Sequence, residues 1–555
     1  MREMQTSVLV VGGGTGGVAA ALAAASRGQR VILTEMYPWL GGQLTSQIVP
    51  PDENGWIETC GVNPSYRRYR EGVRQYYRDH YPLKASARAN ARLNPGGGRV
   101  SRLCHEPRVG AAVIDQMLAP YCTTGRLQVL QPYRPVAAET QGDRITAVTL
   151  EHVQTREQIQ IAADYILDAT ELGDLLKLSG TEYVSGAESR SETGELHAVE
   201  GDAQPDNVQA LTWCFAMAYD PTPGANYIID KPENYSFWRD HVPALTPAWS
   251  GKLLSFRDVY PIDLSTRDNT LFPDKSGANH GRTYAFWQYR QLVDPDIYDL
   301  DQPPHAVTCV NWPMNDYMLG NIIDQPEDVV AKHLEASRQL SLSLFYWMQT
   351  EAPNPQTGGT GFPGLYLRPD MTGTQDGLAQ APYIRESRRI RAVFTVTEAH
   401  VGSEMRWCRS EPFDAIRCRH FDPQQGPLSE PFHDSVGVGN YAIDLHPSTN
   451  GTNYVDVGST PFQIPLGALI PQRVENLLPA CKNIGVTHIT NGCYRLHPVE
   501  WNIGEVAGLL AAHCLANGKT PRQVHADRAC LVEFQTFLEQ QGIPIRWPWQ
   551  SPPPL

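Results

Sequence analysis

Residues 8–17 read Val-Leu-Val-Val-Gly-Gly-Gly-Thr-Gly-Gly and set the architecture of the first part of the chain. The four leading residues are all apolar, which is typical of a parallel strand buried on both faces. Gly12, Gly14 and Gly17 then follow the pattern G-x-G-x-x-G. In this pattern the first glycine permits a turn, the second lets a diphosphate approach the backbone, and the third lets the next helix pack closely on the sheet.

The residues after the turn favour the same interpretation. Residues 17–26 are almost all small, and Gly28 suits the C-terminal end of a helix. The N-terminus of such a helix offers free N–H groups and a partial positive charge to a diphosphate. Residues 31–35 read as a second strand that ends in Glu35, where a carboxylate accepts hydrogen bonds from ribose hydroxyls. We therefore favour a dinucleotide site over a glycine-rich surface loop.

Length and charge limit the classes of protein that fit. A chain of 555 residues exceeds what one core usually supports, so we expect two or more domains. The net charge of −14 makes a nucleic-acid partner unfavourable. Residues 56–95 are rich in Arg and Tyr, and we interpret them as a solvated helix face with ion pairs rather than a nucleic-acid surface.

The sequence also bears on location and metal binding. The first six residues lead directly into the first strand, which leaves no room for a secretory signal, and no apolar run approaches a membrane span. The 11 cysteines include no C-x-x-C pair, which favours reduced thiols. We expect a soluble cytoplasmic protein without a membrane partner. Cys408, Cys418 and His420 match no zinc spacing, so we expect no metal site there.

A glycine pair, Gly41-Gly42, follows the acidic residue and is itself followed by Gln43-Leu44-Thr45. This arrangement resembles the second signature of the large flavoprotein superfamily that includes glutathione reductase, fumarate reductase and amine oxidases. In that superfamily the glycine pair lets the chain pass beside the FAD diphosphate, and the next segment lies along the flavin. An ordinary Gly-Gly loop is the alternative.

Further strands follow in the first third of the chain. Residues 125–130 read as the next parallel strand, and residues 136–138, 145–150 and 158–161 read as a β-meander. Residues 165–168 read as another strand, followed by Ala-Thr-Glu-Leu-Gly-Asp. That segment resembles the A-T-G-(D) signature of the same superfamily, with Glu171 and Leu172 placed between the threonine and the glycine.

The middle and the end of the chain differ in character. Residues 186–440 carry more than half of the Trp and half of the Pro, and we expect an inserted domain there, with a core helix over residues 327–348. The polar stretches 310–317 and 383–390 favour ion pairing between domains and turn chemistry. Residues 495–508 open a small-residue helix, whose N-terminus would stabilise the negative charge at N1/O2 of reduced flavin.

Together these motifs resemble the FAD-dependent oxidoreductase family related to the fumarate reductase and succinate dehydrogenase flavoproteins. The resemblance implies an α/β fold, with a Rossmann-like FAD-binding domain (a parallel sheet plus a β-meander) and an inserted α+β substrate domain. We expect the FAD-binding domain at residues 1–185 and 441–525, the substrate domain at 186–440 and a C-terminal extension at 526–555.

The expected site follows from the motifs and the resemblance. The cofactor is expected to be FAD. Its expected contacts are Gly12, Gly14, Thr15, Gly16, Gly17, Glu35, Met36, Gly41, Gly42, Gln43, Thr45, Val136, Ala169, Thr170, Gly173, Asp174, Asn502 and Ile503. We expect Arg495 and His497 to bind a polar substrate or move a proton, because arginine suits a carboxylate and histidine titrates near neutral pH. The alternative is that they only hold their loop in place.

The expected function is hydride transfer between a small organic molecule and flavin N5. A nicotinamide-only dehydrogenase and a non-catalytic binding module on the same fold are the alternatives. The sequence leaves open the substrate, the electron acceptor, covalent attachment of the flavin and the oligomeric state.

Overall fold

The computed structural model describes residues 2–273, 285–406 and 429–549. The strands are β1 (Arg2–Val11), β2 (Val31–Thr34), β3 (Leu127–Leu130), β4 (Tyr133–Gln141), β5 (Arg144–His152), β6 (Gln158–Asp168), β7 (Tyr183–Val184), β8 (Leu211–Thr212), β9 (Phe215–Tyr219), β10 (Arg257–Val259), β11 (Thr266–Asp268), β12 (Gln291–Val293), β13 (Val307–Val310), β14 (Asp316–Tyr317), β15 (Pro353–Asn354), β16 (Gly359–Thr360), β17 (Leu365–Leu367), β18 (Arg389–Ile390), β19 (Ser435–Gly439), β20 (Ile443–Leu445), β21 (Val455–Val457), β22 (Phe462–Pro465) and β23 (Leu477–Pro479).

The helices carry most of the remaining regular structure. They are α1 (Thr15–Ser26), α2 (Pro64–His80), α3 (Ala85–Ala89), α4 (Pro107–Thr123), α5 (Asp174–Leu178), α6 (Arg190–Thr193), α7 (Tyr235–Asp240), α8 (Phe286–Tyr289), α9 (Glu327–Thr350), α10 (Pro369–Thr372), α11 (Glu398–Val401), α12 (Ser403–Arg406), α13 (His488–Tyr494), α14 (His497–Asn517), α15 (Pro521–Ala526) and α16 (Arg528–Gln540). Short 3₁₀ turns span Gly42–Leu44, Pro295–Ile297, Pro313–Asn315 and Leu466–Leu469.

A central sheet brings the predicted motifs to one edge. Its parallel strands lie in the order β3-β2-β1-β6, and β23 pairs with the C-terminal part of β6. Val11 lies opposite both Thr34 and Asp168, and Pro479 lies opposite Asp168. The carboxyl ends of these strands therefore meet, which confirms the predicted α/β fold with a Rossmann-like sheet.

The meander is also present, with one difference from the sequence-based expectation. Strands β4, β5 and β6 pair antiparallel in order. The predicted separate strands at residues 158–161 and 165–168 form one strand, β6, because its pairing with β1 continues from Ile159 to Asp168. Ala162 and Ala163 remain in this ladder and residue 164 lies within β6, so no turn separates the two halves.

Helices α1 and α14 pack closely against each other, as their small residues predict. A Cβ atom at Gly504 would lie 2.0 Å from the carbonyl oxygen of Gly16, and one at Gly508 would lie 2.3 Å from that of Ala20. A Cβ at Gly16 would lie 1.9 Å from the carbonyl oxygen of Ala480. Only glycine fits at these positions, so α14 is fixed against the start of α1.

The interpretation of residues 56–95 as a solvated helix face is wrong for its central part. In α2 the side chains of Arg70 and Arg74 are buried together with three tyrosines. Burial is possible because Glu58, outside the helix, pairs with Arg70 at 2.5 Å and with Arg74 at 2.6 Å. Tyr66 also packs edge-on against Trp501 of α14, with ring centroids 5.4 Å apart.

The middle of the chain forms a second core. Its antiparallel sheet has the order β12-β13-β9-β17, and α9 covers the same core, which confirms the predicted helix there. Within the described ranges, no helix combines the length and the apolar character needed to cross a membrane. The described cysteines are all free thiols. The stretch with Cys408, Cys418 and His420 lies outside the described residues.

Candidate active site

A glycine-lined cradle lies at the carboxyl edge of the central sheet. Gly12 has φ +98°, and a Cβ there would lie 2.3 Å from the carbonyl oxygen of Ala169. A Cβ at Gly17 would lie 1.9 Å from the carbonyl oxygen of Gly12. Both glycines are required by the fold itself. Gly14 differs, because its nearest neighbour across the open space is a side-chain oxygen of Glu171, 3.2 Å from the Cβ position.

Glu35 lies buried beside this cradle. One carboxylate oxygen accepts a hydrogen bond from the N–H of Gly13 at 2.7 Å, and the other accepts from Met36 at 2.7 Å and Tyr37 at 3.0 Å. Burial raises the pKa of Glu35 to about 7, although the backbone donors lower it in part. A carboxylate has about four lone-pair positions, so Glu35 retains capacity for a ribose hydroxyl. Met36 donates its backbone N–H to Glu35, whereas its side chain is exposed.

The second glycine motif docks directly on the first. Gly41 and Gly42 have φ angles of +112° and +52°. The N–H of Gly41 donates to the carbonyl oxygen of Gly13 at 2.7 Å, and the hydroxyl of Thr15 donates to that of Gly41 at 2.9 Å. A Cβ at Gly42 would lie 2.9 Å from the Cα of Gly14. The two motifs therefore form one continuous wall.

The Ala-Thr-Glu-Leu-Gly-Asp segment closes the cradle from the other side. Asp168 accepts hydrogen bonds from the N–H and the hydroxyl of Thr170, at 3.0 and 2.7 Å. The hydroxyl of Thr170 in turn accepts from the N–H of Asp174 at 2.7 Å. Gly173 has φ +65° and begins α5 beside Arg388, which binds Asp174 at 3.2 Å. Thr170 and Asp174 thus hold the turn in place.

Glu171, which lies between the threonine and the glycine of the motif, brings a charge to the cradle. Its carboxylate oxygen lies 3.2 Å from the Cβ positions of both Gly14 and Gly42. The buried ammonium group of Lys482 pairs with the other carboxylate oxygen of Glu171 at 2.5 Å. The insertion of Glu171 into the motif indicates a charge at this position. Lys482 follows β23 and belongs to no motif, so the sequence does not indicate its part in the ion pair.

A second buried acid, Glu500, links the cradle to α14. It accepts a hydrogen bond from the side-chain amide of Gln43 at 2.7 Å, and it lies 3.5 Å from the N–H of Gly16. The same amide of Gln43 donates to the carbonyl oxygen of Arg495 at 3.0 Å. Burial raises the pKa of Glu500 to about 7, and the nearby Lys482 opposes this shift. Gln43 therefore couples the second glycine motif to the start of α14.

The remaining predicted cofactor residues lie in different surroundings. Thr45 donates to the carbonyl oxygen of Leu40 at 2.6 Å and closes the turn after the glycine pair. The side-chain amide of Asn502 donates a hydrogen bond to the side-chain oxygen of Asn63 at 3.1 Å. Ile503 belongs to the hydrophobic core, and Val136 lies partly buried in β4. Their contacts with FAD remain predictions.

Arg495 lies at the junction between the cradle and the inserted region. One guanidinium nitrogen donates to the hydroxyl of Tyr383 at 2.8 Å, and another donates to the carbonyl oxygen of Asp444 at 2.8 Å. Its Nε has no hydrogen-bond partner among the described residues. Arg495 thus binds groups from two distant segments while keeping one donor unused.

His497 lies on the first turn of α14, fully buried. Its Nδ1 accepts a hydrogen bond from the backbone N–H of Asp52 at 3.0 Å. Burial lowers the pKa of His497 to about 3; the positive charges of Arg290 and Arg495 lower it further, while the carbonyl of Val49 raises it in part. The expectation that this histidine titrates near neutral pH is therefore wrong, because its burial among cations disfavours the charged ring.

Arg290 and Asp52 complete the junction cluster, which we define as Asp52, Arg290, Tyr383, Arg495 and His497. A guanidinium nitrogen of Arg290 lies 3.6 Å from a carboxylate oxygen of Asp52. Sequence reasoning missed Asp52 and Arg290, and it noted Tyr383 only as the start of a polar stretch and not as a site residue. Each is a single residue in a separate segment, and no spacing pattern connects them.

The two polar stretches of the inserted region do meet. Arg385 pairs with Asp316 at 3.1 Å, and Asp316 also binds Nδ1 of His446 at 2.5 Å. Arg389 pairs with Glu386 at 2.5 Å and with Glu188 at 2.8 Å. These residues form ion pairs, but the carboxylates named here all lie within residues 186–440, so ion pairing between domains stays a prediction. Arg385 additionally stacks over the ring of Tyr383, 4.9 Å from its centroid, which supports the junction cluster.

Residues 7–538 match the model of a protein family described as FAD dependent oxidoreductase. The chain therefore belongs to this family, whose cofactor is FAD. This family match contradicts the alternative that the protein is a dehydrogenase that uses only a nicotinamide cofactor. The glycine wall fits this cofactor, because side chains at Gly14 and Gly42 would fill the space between them, and the buried carboxylate of Glu35 beside Gly13 is available as an acceptor.

Other known proteins resemble parts of the chain. A carotenoid phi-ring synthase from Streptomyces griseus is 37% identical over 103 residues, which cover 18% of this chain and 17% of that protein. A geranylgeranyl bacteriochlorophyll reductase-like protein from Thermoplasma acidophilum is 10% identical, with 97% and 84% of the two chains covered and a TM-score of 0.31. The quinol fumarate reductase of E. coli is 11% identical, with 98% and 74% covered and a TM-score of 0.29.

Proposed function

We propose that this protein transfers a hydride between a small organic substrate and flavin N5, at the junction cluster. The observation that carries the proposal is the position of Gln43. Its side chain binds both the carbonyl of Arg495 and the carboxylate of Glu500, so the motif that implies contact with the flavin is tied to the segment that carries Arg495 and His497.

The cradle would hold the cofactor through its backbone. Glu35 would accept a hydrogen bond from the ribose, and the N-terminus of α1 would face the diphosphate. Bound FAD supplies a two-electron acceptor or donor that exchanges a hydride at N5. The N-terminus of α14 would stabilise negative charge at N1/O2, which favours the reduced form.

The junction residues would bind and orient the substrate. A backbone N–H can only donate, so Nδ1 of His497 accepts from Asp52 and the neutral ring carries its proton on Nε2. His497 then acts as a hydrogen-bond donor rather than as a base. Arg495 and His497 would together position polar groups of the substrate, as the sequence predicts, but without proton exchange at His497.

Tyr383 is the candidate for holding a proton at this site. Its hydroxyl oxygen accepts from Arg495, which leaves its own hydrogen free to donate. Burial raises the pKa of Tyr383, although Arg495 opposes the shift, so the phenol stays protonated at neutral pH. A protonated phenol can hydrogen-bond to a substrate oxygen or nitrogen and can supply a proton when the substrate is reduced.

An absorption experiment tests the proposal. The full chain is purified and its spectrum is compared with that of free FAD, and candidate donors are then added without oxygen. A flavin spectrum that bleaches with an organic donor is the expected result. Flavin that bleaches with dithionite but with no metabolite in a broad screen would favour a non-catalytic module, and a protein that binds no FAD would contradict the proposal.

A further inference from the structure

Two carboxylates face the part of the cradle that is expected to take the diphosphate of FAD. A Cβ atom at Gly14 would lie 3.2 Å from a carboxylate oxygen of Glu171 and 4.0 Å from one of Glu500. The same oxygen of Glu500 lies 3.5 Å from the N–H of Gly16, on the first turn of α1. Both acids therefore lie at the helix N-terminus that is expected to face the diphosphate.

The charges in this place do not balance once a diphosphate is added. The ammonium group of Lys482 pairs with Glu171 at 2.5 Å, and its positive charge also acts on Glu500. One cation thus offsets two carboxylates only in part, and the diphosphate brings two further negative charges. Like charges that lie close together in a buried site do not all stay ionised, so we expect one of these acids to bind a proton.

Glu500 is the acid better placed to take that proton. Glu171 has the direct ion pair with Lys482 and a side chain that is 20% exposed. Glu500 is buried and forms no ion pair with any described residue, and its second oxygen accepts from the neutral amide of Gln43 at 2.7 Å. Burial, opposed by Lys482 and aided by Glu171, raises the pKa of Glu500 to about 7.

We propose that FAD binding takes up one proton from solvent at Glu500, so that a neutral carboxyl group rather than a carboxylate faces the diphosphate. A neutral carboxyl group both accepts and donates hydrogen bonds, so it can keep the contact with Gln43 while its O–H donates to a phosphate oxygen. FAD is then held more tightly at low pH than at high pH. This inference rests on the expected position of the diphosphate and is independent of the substrate and of hydride transfer.

Other titratable groups lie near Glu500 or elsewhere in the cradle. Cys481 lies close enough for the charge of Glu500 to act on it, and burial raises the pKa of its thiol well above the ordinary value, so the thiol stays neutral. Burial also raises the pKa values of Glu35 and Asp168 to about 7. These two acids can exchange protons of their own when FAD binds. The informative quantity is therefore the difference between the parent and a variant of Glu500 alone.

The test measures FAD binding to the full chain, after removal of bound FAD, at pH 6, 7 and 8. Fluorescence titration gives the Kd, and calorimetry in two buffers with different heats of ionisation gives the protons taken up per FAD. The key variant is Glu500→Gln, because its neutral amide resembles a protonated carboxyl group. Glu505→Gln is the matched control. Glu505 also lies on α14 and has a pKa raised by burial, but it accepts from Asn63 and Ser65.

The parent is expected to take up about one proton more per FAD than Glu500→Gln at pH 8. Glu500→Gln should match the parent at pH 6 and bind FAD about tenfold more tightly than the parent at pH 8, because the parent alone must first protonate the acid. Glu505→Gln should follow the parent at each pH. Tighter binding at high pH is a result that a merely supporting carboxylate would not give.

Parallel Kd curves, or equal proton uptake, in the parent and Glu500→Gln would overturn the proposal, and so would weaker binding by Glu500→Gln at every pH. If that variant does not fold, the infrared difference spectrum of the parent on FAD loading decides. A new band from a neutral carboxyl group supports the proposal, and its absence overturns it. A parent that binds no FAD would contradict both this proposal and hydride transfer.

The two proposals can also fail separately. If an organic donor bleaches the flavin but no proton uptake is linked to Glu500, the present proposal fails and hydride transfer stands. If the linked proton is found but no donor bleaches the flavin, the reverse holds.

Discussion

The glycine cradle and the junction cluster meet at the start of α14, yet they are built in opposite ways. The cradle consists of backbone, and its glycines are fixed by contacts as close as the 1.9 Å between a Cβ at Gly17 and the carbonyl of Gly12. The junction cluster consists of long polar side chains from separate segments, and several of their N–H groups are unpaired within the described residues. We therefore propose that the cradle holds the cofactor and that the cluster binds the substrate and takes part in the reaction.

This difference predicts that substitutions in the two regions separate cofactor retention from chemistry. Cradle variants should lose flavin, while junction variants should keep flavin and lose reactivity. The following predictions test that separation from the largest expected effect to the smallest.

Gly14→Val is expected to abolish FAD binding, because the added methyl groups would occupy the space beside the diphosphate. The protein should remain folded, since the nearest atom to the Cβ position belongs to the flexible side chain of Glu171. Flavin per chain and the circular dichroism spectrum are measured after gel filtration. Gly55→Ala, where a Cβ meets nothing within 4 Å, is the control. Normal yellow protein from Gly14→Val would place the cofactor elsewhere.

Arg495→Ala and His497→Ala are expected to keep FAD, and at least one should slow substrate-driven flavin reduction by about 10²–10⁴-fold. Stopped-flow bleaching without oxygen measures the rate. Because His497 has a pKa of about 3 and stays neutral, its substitution should leave the shape of the rate profile between pH 5 and 8 unchanged. Parent rates in both variants would remove Arg495 and His497 from the reaction.

Glu35→Ala is expected to weaken FAD retention, because losing a charge-assisted hydrogen bond to the ribose costs about 1.5–3 kcal/mol. The variant also leaves three backbone N–H groups without their acceptor, so its melting temperature should fall. Flavin occupancy after dialysis is compared with that of Glu3→Ala, an exposed acid on β1. Unchanged occupancy in Glu35→Ala would count against the ribose role.

Glu500→Gln is expected to flatten the pH dependence of stability. The folded pKa of about 7 exceeds the ordinary 4.5, so folding is favoured by protonated Glu500 below pH 4.5, and this contribution is lost as pH rises through 7. The parent should therefore lose stability relative to the variant between pH 5 and 8. Urea midpoints of the FAD-loaded proteins measure the difference. Parallel curves for the two proteins would show that Glu500 does not titrate in this window.

Glu171→Gln is expected to have the smallest effect of these substitutions, and it should strengthen FAD binding rather than weaken it. Removing a negative charge beside the proposed diphosphate position, and leaving Lys482 free to face it, should tighten FAD binding by a few-fold, or roughly 1 kcal/mol. Fluorescence titration of FAD into stripped protein gives the Kd, and Lys482→Gln should change it in the other direction. Weaker binding in Glu171→Gln would show that the carboxylate supports the cofactor site.

The sequence predicts the cradle well because its requirements are local. Gly12 and Gly42 adopt positive φ angles at turns, and Gly17 contacts the carbonyl oxygen of Gly12 five residues earlier, so the spacing of these glycines carries the information. The junction cluster could not be predicted as a unit, because Asp52, Arg290 and Tyr383 meet only through the folded chain. The sequence points to Arg495 and His497 because they lie at the start of a predicted helix. It does not indicate that His497 is buried among cations, which lowers its pKa.

The buried face of α2 is another feature that the sequence does not predict. Periodicity and composition suggest a solvated surface, since arginine rarely lies in a core without a partner. The partner, Glu58, lies on a loop before the helix, and its pairing with Arg70 and Arg74 depends on how that loop folds back. The merged strand β6 differs from prediction for a related reason, because pairing with β1 overrides the weak local pattern of residues 162–164.

One comparison tests the central claim most directly. Flavin per chain and the rate of anaerobic flavin reduction are measured together for the parent, Gly14→Val and Arg495→Ala, with a donor that bleaches the parent. The account predicts that Gly14→Val carries no flavin, whereas Arg495→Ala carries as much as the parent and is reduced far more slowly. Flavin retained in Gly14→Val and lost from Arg495→Ala would contradict the division between a holding cradle and a reactive junction.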